Sequence, residues 1–433
     1  MSALAHYLRE WGCLVSGCDA RESAVLDELR ANHIDVVCGH DDSHVSNVDV
    51  VLWSPAVREN HGELDAARVA GCELLPRRRL LAALADGRDV LAVTGTHGKT
   101  TATSMLAHVL ASAGPASWIV GADVRGLGRS GHFGGGPLAL ELDESYGAFT
   151  EITPAGLVVL NVDVDHLDYY GDVAHLRAAF ADVVERTRGP VVVYQPDEGA
   201  RAVADSVSRP LIRVGPPGSG CDVELERVSS GPFRVSGTLT SPWGSLDIGL
   251  GVAGNHSFLD AALVATLALA HGVANDTVTE GLSAFRGAPR RFERVGRWRD
   301  ADVVIDYAHL PAEIASTLST AWTSGYQLPV VVFQPHRYTR TLEVGEDFAP
   351  AFDGVELVIV TDIYSAGEIN SSGVTGEYVA EALRRRGRVP RVVYAPELSD
   401  AARAVEENGP GDLLLLVGAG DVPDVATLLG VSR

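Results

Sequence analysis

The stretch Val90–Ala113, VLAVTGTHGKTTATSMLAHVLASA, limits what this chain can fold into more than any other. Val90–Val93 is an apolar run of buried-strand length, and Leu106, Val109, Leu110 and Ala113 fall on one face of the helix predicted after it. Between them lies Gly95-Thr96-His97-Gly98-Lys99-Thr100-Thr101. A glycine-rich turn opening a helix aims several backbone N–H groups at one point, with the positive end of the helix behind them, so the segment is an anion site. Lys99 and Thr100 narrow it to a nucleotide phosphate site, the ammonium reaching phosphates and the hydroxyl a magnesium ion. Val93 stands where the usual G-x-x-x-x-G-K-[ST] loop has its first glycine, leaving G-x-x-G-K-T. The competing reading is an ordinary strand–turn–helix with a surface lysine.

A chain of 433 residues exceeds one core, and about three domains is the expectation. The pattern divides at 1–87, 88–294 and 295–433, all α/β. In the first, Met1–Trp11 reads as a helix, Cys13–Ser16 as a strand, Glu22–Asn32 as a helix and Val48–Trp53 as a strand. A dinucleotide-type fold would begin with a strand and a glycine-rich turn, so this domain either lacks its first strand or has lost its start. In the second, strands Leu138–Leu142 and Leu157–Leu160 follow the phosphate loop. Gly126–Gly136 is expected to be a mobile loop, 221–250 a small antiparallel element, and Ser257–His271 a long helix. In the third, strands at Val303–Ile305, Val330–Phe333, Leu357–Val360, Val392–Tyr394 and Leu413–Val417 alternate with helices, the doubly wound pattern whose ligands sit at carboxyl strand ends.

The net charge of −22 argues against a nucleic-acid partner, which needs clustered Lys and Arg. Of the local basic clusters, Arg77–Arg79 and Arg384–Arg386 read as solvated helix faces. No apolar run reaches eighteen residues and no secretion signal opens the chain, so a cytoplasmic protein with no membrane partner is expected. Five scattered cysteines without a C-x-x-C pair suit reduced thiols and offer no zinc spacing.

Chemistry requires hard oxygen ligands beside the phosphate loop. Glu141 on its strand and His166 just past the next reach the phosphates if both strands neighbour Val90–Val93, with Glu141 the more usual magnesium partner. Arg291 could stabilise a transferring phosphoryl group. Asp306 could accept ribose hydroxyls and His309 orient a substrate, while Arg337 and Arg340, after His336, imply an anionic substrate group. Residue type leaves each open: Glu141 equally faces solvent, His166 caps a helix or sits in a core, Arg291 forms an interdomain salt bridge, and the rest are turn residues.

Seven motifs then occur in one order: TGTHGKTT, ELDESYGAF, NVDVDHLDYYG, RRFERVG, DYAHLPAEI, FQPHRYTRT and DIYSAGE. Over nearly its whole length the chain resembles the Mur ligases, most closely their alanine-adding branch. The resemblance implies a UDP-binding Rossmann-like domain, a central phosphate-loop ATPase domain and a C-terminal Rossmann-like domain. It implies that ATP and Mg2+ activate the lactoyl carboxylate of UDP-N-acetylmuramate as an acyl phosphate, which the amine of L-alanine attacks, in a monomer or weak homodimer. Carried over by motif, Gly95, Thr96, His97, Gly98, Lys99, Thr100, Thr101, His256, Asp260, Arg291 and Asp306 meet ATP. Thr100, Glu141 and His166 meet the metal. Ser54, His309, His336, Arg337 and Arg340 lie on the substrate side, and Lys99, Glu141, His166, Arg291 and His309 carry catalysis.

The chain departs from the family pattern in four positions. Only Met1-Ser2 remains of a glycine-rich turn that would hold the UDP pyrophosphate. Asp260 replaces an asparagine, exchanging a donor–acceptor amide for a carboxylate. Leu310 stands for a histidine, and Glu141–Tyr146 reads ELDESY. These departures motivate two rivals: a relative using another amino acid or acceptor, and a nucleotide-binding regulatory protein without catalysis.

Overall fold

A computed structural model describes residues 1–54, 57–147 and 149–431. They form two compact units: Met1–Val228 with Ser236–Leu250 and His256–Arg286, and Ser229–Val235 with Gly251–Asn255 and Gly287–Arg433. Both are mixed α/β, as the alternating apolar runs predict. Among the described residues no helix is long and apolar enough to cross a membrane.

In the first unit, strand Val90–Thr94 is buried along its whole length and lies between Leu138–Glu141 and Gly156–Val159, parallel to both. A strand covered on both faces needs the continuous apolar run seen here rather than alternation. Val191–Tyr194 and Ile212–Gly215 extend the parallel sheet, and the three strands Val223–Gly231, Arg234–Ser241 and Gly244–Leu250 continue it, joined by two tight turns. The helices Lys99–Ala113 and Asn255–Ala270 are buried over most of their length.

Residues before Asp86 build two separate two-stranded parallel sheets. Ser16–Asp19 pairs with Asp35–Cys38, and Val50–Trp53 with Glu73–Pro76. The first strand thus begins where the expected Cys13–Ser16 ends. The opening helix closes at Trp11, the N–H of Cys13 bonds back to the Leu8 carbonyl, and Leu14 is left fully exposed. Only the segment from Ser16 onward meets a partner strand.

The expected mobile loop Gly126–Gly136 is instead bonded into a sheet edge. Gly131–His132 pairs antiparallel with Ser117–Ile119, Trp118 Nε1 donates to the Arg129 carbonyl at 2.8 Å, and Ser117 Oγ donates to Gly135 at 2.9 Å. Helix Ser2–Glu10 lies over this edge. A Cβ on Gly131 would run into the Ala3 carbonyl, Glu10 Oε2 accepts from the Phe133 N–H at 2.8 Å, and Trp11 stacks on Phe133 at 5.6 Å.

The second unit holds a six-stranded sheet in the order Glu293–Trp298, Ala301–Asp306, Leu413–Val417, Pro329–Phe333, Leu357–Val360, Arg391–Tyr394. The first pair is antiparallel and the rest parallel. The strands Leu413–Val417, Pro329–Phe333 and Leu357–Val360 are apolar throughout and covered on both faces, by clusters that include Phe333, Phe348 and Phe352 on one side and Ile359, Leu416 and Val425 on the other.

Candidate active site

The phosphate loop of the first unit is held open by its own backbone and by one asparagine. Gly98 has φ +83 and precedes helix Lys99–Ala113, so the first helical N–H groups point outward from the turn. Asn161, just past the strand Gly156–Val159, accepts from the His97 N–H at 2.8 Å and donates to the His97 carbonyl at 3.0 Å. Thr96 Oγ1 accepts from the Asp163 N–H at 2.8 Å. His97 and Thr101 are half-buried on either side of the turn, and His256 is exposed at the start of its helix.

Lys99 does not reach into solvent. Its Nζ lies 2.8 Å and 3.1 Å from the Glu144 carboxylate and donates to the carbonyls of Gly95 at 2.7 Å and Thr96 at 3.2 Å. Burial pushes the Glu144 carboxyl up, against the pull of the Lys99 charge. In Asp143 burial is outweighed by the Ser145 hydrogen bonds and by Lys99, so its acidity is increased. Both strands flanking Val90–Thr94 do neighbour it, and Glu141 is brought to the loop: Oε1 accepts from Thr100 Oγ1 at 3.0 Å and Oε2 from the Gly121 N–H at 2.6 Å. Burial raises its pKa as well. His166 occupies the position before helix Leu167–Tyr170 with φ +53, yet its side chain makes no cap bond. Its Nε2 lies 3.9 Å from Glu144, and Asp143, Glu144 and His166 bring three ligand atoms within 4.8 Å of one another. Carboxylates and a hydroxyl at a phosphate loop are the hard donors a magnesium ion takes, and both the bonded pair Thr100–Glu141 and the group Asp143, Glu144 and His166 are chemically suited to that ion.

Two features of this unit escape the sequence reading. Arg77 is not on a solvated face: it lines a cavity with Ser2, Gly121, Glu141 and Asp143, and its Nε is buried without a hydrogen-bond partner among the described residues. Arg78 and Arg79 are exposed, as expected. Asp260 lies in the buried face of helix Asn255–Ala270, its oxygens 3.1 and 3.2 Å from where a Cβ on Gly98 would sit. No hydrogen-bond donor reaches it among the described residues, and burial holds its pKa well above the usual range. Ser54 follows the strand Val50–Trp53 and is half-buried.

In the second unit the carboxyl ends of the parallel strands carry the remaining candidates. Asp306 is buried and accepts backbone N–H groups from Phe292 at 2.7 Å and Ala308 at 2.8 Å, which fixes the turn carrying Arg290 and Arg291. Both guanidiniums lie over the Tyr307 ring, at 4.8 and 5.2 Å, and Arg291 makes no ion pair among the described residues. His309 donates from Nδ1 to the Tyr307 carbonyl at 3.1 Å, and burial lowers its pKa. Its ring is 5.6 Å from His336, which stacks on Tyr364. Arg340 donates to His336 Nδ1 at 3.3 Å. Burial first, then the charges of His309, Arg340 and Arg337, bring the His336 pKa down to about 4. Arg337 is exposed and has φ +67 and ψ 136, held by a bond from its N–H to the Tyr364 carbonyl at 2.9 Å. His309, His336, Arg337 and Arg340 therefore lie past the carboxyl ends of the inner strands Ala301–Asp306 and Pro329–Phe333, with Asp306 closing the first.

The first unit is an α/β fold with a phosphate loop lined by carboxylates, suited to a nucleotide, and the second a parallel-sheet fold with histidines and arginines at its strand ends. Comparison with known proteins names the class. Residues 1–89 match the model of the Mur ligase family, catalytic domain, and residues 290–420 that of the Mur ligase, glutamate ligase domain. A UDP-N-acetylmuramate--L-alanine ligase of Kineococcus radiotolerans is 40% identical, covering 99% of this chain and 94% of its own. One of Anaeromyxobacter is 36% identical over 98% and 93%. The crystal structure of UDP-N-acetylmuramate-alanine ligase from Thermotoga maritima has a TM-score of 0.84 at 28% identity, covering 99% of this chain and 95% of its own. The chain belongs to the Mur ligase family.

Proposed function

We propose that the chain is an ATP-dependent ligase joining L-alanine to the lactoyl carboxylate of UDP-N-acetylmuramate, in the cytoplasm, for peptidoglycan precursor synthesis. The observation that carries this reading is the cluster of Lys99, Thr100, Glu141 and Glu144 at the phosphate loop of a chain similar over almost its full length to alanine-adding ligases. A carboxylate is a poor electrophile. Transfer of the γ-phosphoryl group to its oxygen creates an acyl phosphate and ADP, and attack by the alanine amine forms the amide and releases phosphate. Lys99 binds the transferring phosphates once they displace Glu144, and Arg291 adds a second cation for the charge that builds on them. A bound magnesium ion would neutralise phosphate charge, held by Thr100, Glu141 and His166. Arg77, in the cavity beside Glu141, orients the acceptor carboxylate through its guanidinium. His309, His336, Arg337 and Arg340 bind the substrate side, with Ser54.

The test is phosphate release from Mg-ATP in the presence of UDP-N-acetylmuramate and L-alanine, glycine or L-serine in turn. Turnover highest with L-alanine supports the reading. Turnover only with another amino acid supports the divergent-ligase rival, and none with any amino acid supports the regulatory one.

A further inference from the structure

Residues before Asp86 hold a second collection of ligand-type side chains that the ligase chemistry does not use. Glu63, in the first turn of helix Gly62–Ala70, is 8% exposed. Around its carboxylate stand His44 Nδ1 at 2.8 Å, His40 Nδ1 at 2.9 Å, Cys18 Sγ at 3.2 Å and His61 Nδ1 at 3.7 Å. Cys18 Sγ is also 3.4 Å from His40 Nδ1. One carboxylate offers about four acceptor sites, and the Cys18 thiol, the His40 and His44 imidazoles and the Asp41 N–H take them up, so Glu63 gathers three further ligand-type groups of this kind around itself.

The spacing fits an ion. In a tetrahedral zinc site, bonds of about 2.3 Å to sulfur and about 2.0–2.1 Å to nitrogen or oxygen separate neighbouring ligand atoms by roughly 3.3–3.6 Å. Cys18, His44 and Glu63 each bring a ligand atom within 4.8 Å of the others, as do His40, His61 and Glu63, and Cys18 Sγ and His40 Nδ1 at 3.4 Å link the two groups before any ion draws them together. Sulfur and imidazole exclude magnesium and calcium, which take oxygen, and favour zinc and its neighbours. The imidazoles are about 30% exposed while the carboxylate is covered, so an ion can approach from solvent and find its charged ligand already oriented. The Asp41 N–H donates to Glu63 Oε1 at 3.2 Å and supports that ligand from behind.

We propose that Cys18, His40, His44 and Glu63 form a binding site for a divalent cation of the zinc class, with His61 remaining the cap of its helix. Binding forms a metal–sulfur bond as the Cys18 thiol gives its proton to solvent. Cys18 and His40 come from the carboxyl ends of the Ser16–Asp19 and Asp35–Cys38 strands, and Glu63 from the helix leading to Glu73–Pro76 in the other small sheet. The ion would therefore clamp together two sheets that share no strand pairing. The core beneath the first sheet needs such help, since its buried cluster is Leu26, Leu29, Ile34 and Val36. His40 and His44 stand at H-x-x-x-H spacing, but Cys18 lies 22 residues before His40 and Glu63 19 residues after His44, so the set as a whole is assembled only by the fold.

The experiment uses the untagged full chain, stripped by a chelator and then titrated with Zn2+ or Co2+ in saturating Mg2+, which fills the hard oxygen site. One Zn2+ per chain is expected to stay bound through gel filtration and to raise the melting temperature. Co2+ is expected to give a thiolate-to-cobalt charge-transfer band with intense tetrahedral d–d bands. Cys18→Ser should remove that band, and both it and His44→Ala should weaken Zn2+ binding at least tenfold, whereas His61→Ala leaves binding intact. Circular dichroism of each stripped variant separates ligand loss from misfolding. No stoichiometric Zn2+ uptake by the unchanged chain, or a six-coordinate Co2+ spectrum without the charge-transfer band, overturns the site. Equal loss in His61→Ala and His44→Ala overturns this choice of ligands. None of these readouts depends on ligase activity.

Discussion

Lys99 and Glu144 are locked together at the mouth of the phosphate loop, with Nζ 2.8 Å from Oε2 and the two side chains 14% and 2% exposed. The ammonium proposed to bind phosphate is thus already neutralised, and a nucleotide would have to take it from a carboxylate. Removing one member of a buried pair leaves an uncompensated charge, which costs about 3–5 kcal/mol when nothing else supports it. Here the Gly95 and Thr96 carbonyls remain as acceptors for Lys99. Glu144→Gln should therefore destabilise the chain by about 1–3 kcal/mol in denaturant unfolding. Mg-ATP should stabilise the variant more than the unchanged protein, because phosphate replaces the missing charge. Lys99→Met should cut turnover at least ~100-fold in the phosphate-release assay.

Asp260 supplies a pH test. Its folded-state pKa is raised by burial, so its contribution to stability is complete below the unfolded carboxyl value of about 4 and is lost as pH rises toward the folded value. Asp260→Asn keeps the shape without the charge. The variant should melt higher than the unchanged chain at pH 8, with the gap shrinking toward pH 4. A gap independent of pH would mean that ionisation at this position is not what the helix resists.

His336 should be neutral at physiological pH. NMR of the ring is expected to show a titration near 4 rather than near 6.5, and Arg340→Gln should move it upward by removing a nearby positive charge. Because the shift is downward, the stability linked to this ring is present above about 6.5 and falls as pH drops toward 4.

Arg337 separates strain from function. Its positive φ with an extended ψ is a conformation that suits glycine and costs other residues about 1–3 kcal/mol. Arg337→Gly is expected to raise stability by about 1 kcal/mol in thermal unfolding while lowering kcat/KM at least ~100-fold, through loss of the guanidinium proposed to bind the substrate.

The parts legible in the sequence are those written locally. Val90–Val93, Leu413–Val417 and Leu357–Val360 announce buried parallel strands by composition alone, and G-K-T-T marks the phosphate turn because its geometry needs those residues in that order. What escapes is made by approach in space. Glu144 meets Lys99, and Asn161 braces His97, only because two other strands flank Val90–Thr94. The first strand is misplaced by three residues because its register belongs to Asp35–Cys38 rather than to its own hydrophobicity. Arg77 shares a basic run with Arg78 and Arg79, and nothing in that run distinguishes the one that turns inward.

The helix lying across Gly131–His132 has a consequence for how the molecule behaves in company. A strand at a sheet margin offers unsatisfied N–H and C=O groups on which a second copy can pair, and covering it with a helix is a way to deny that template. Ser2–Glu10 covers this margin so tightly that Gly131 leaves no room for a methyl group between them. The opening residues of the chain thus occupy the margin on which a second copy could otherwise pair.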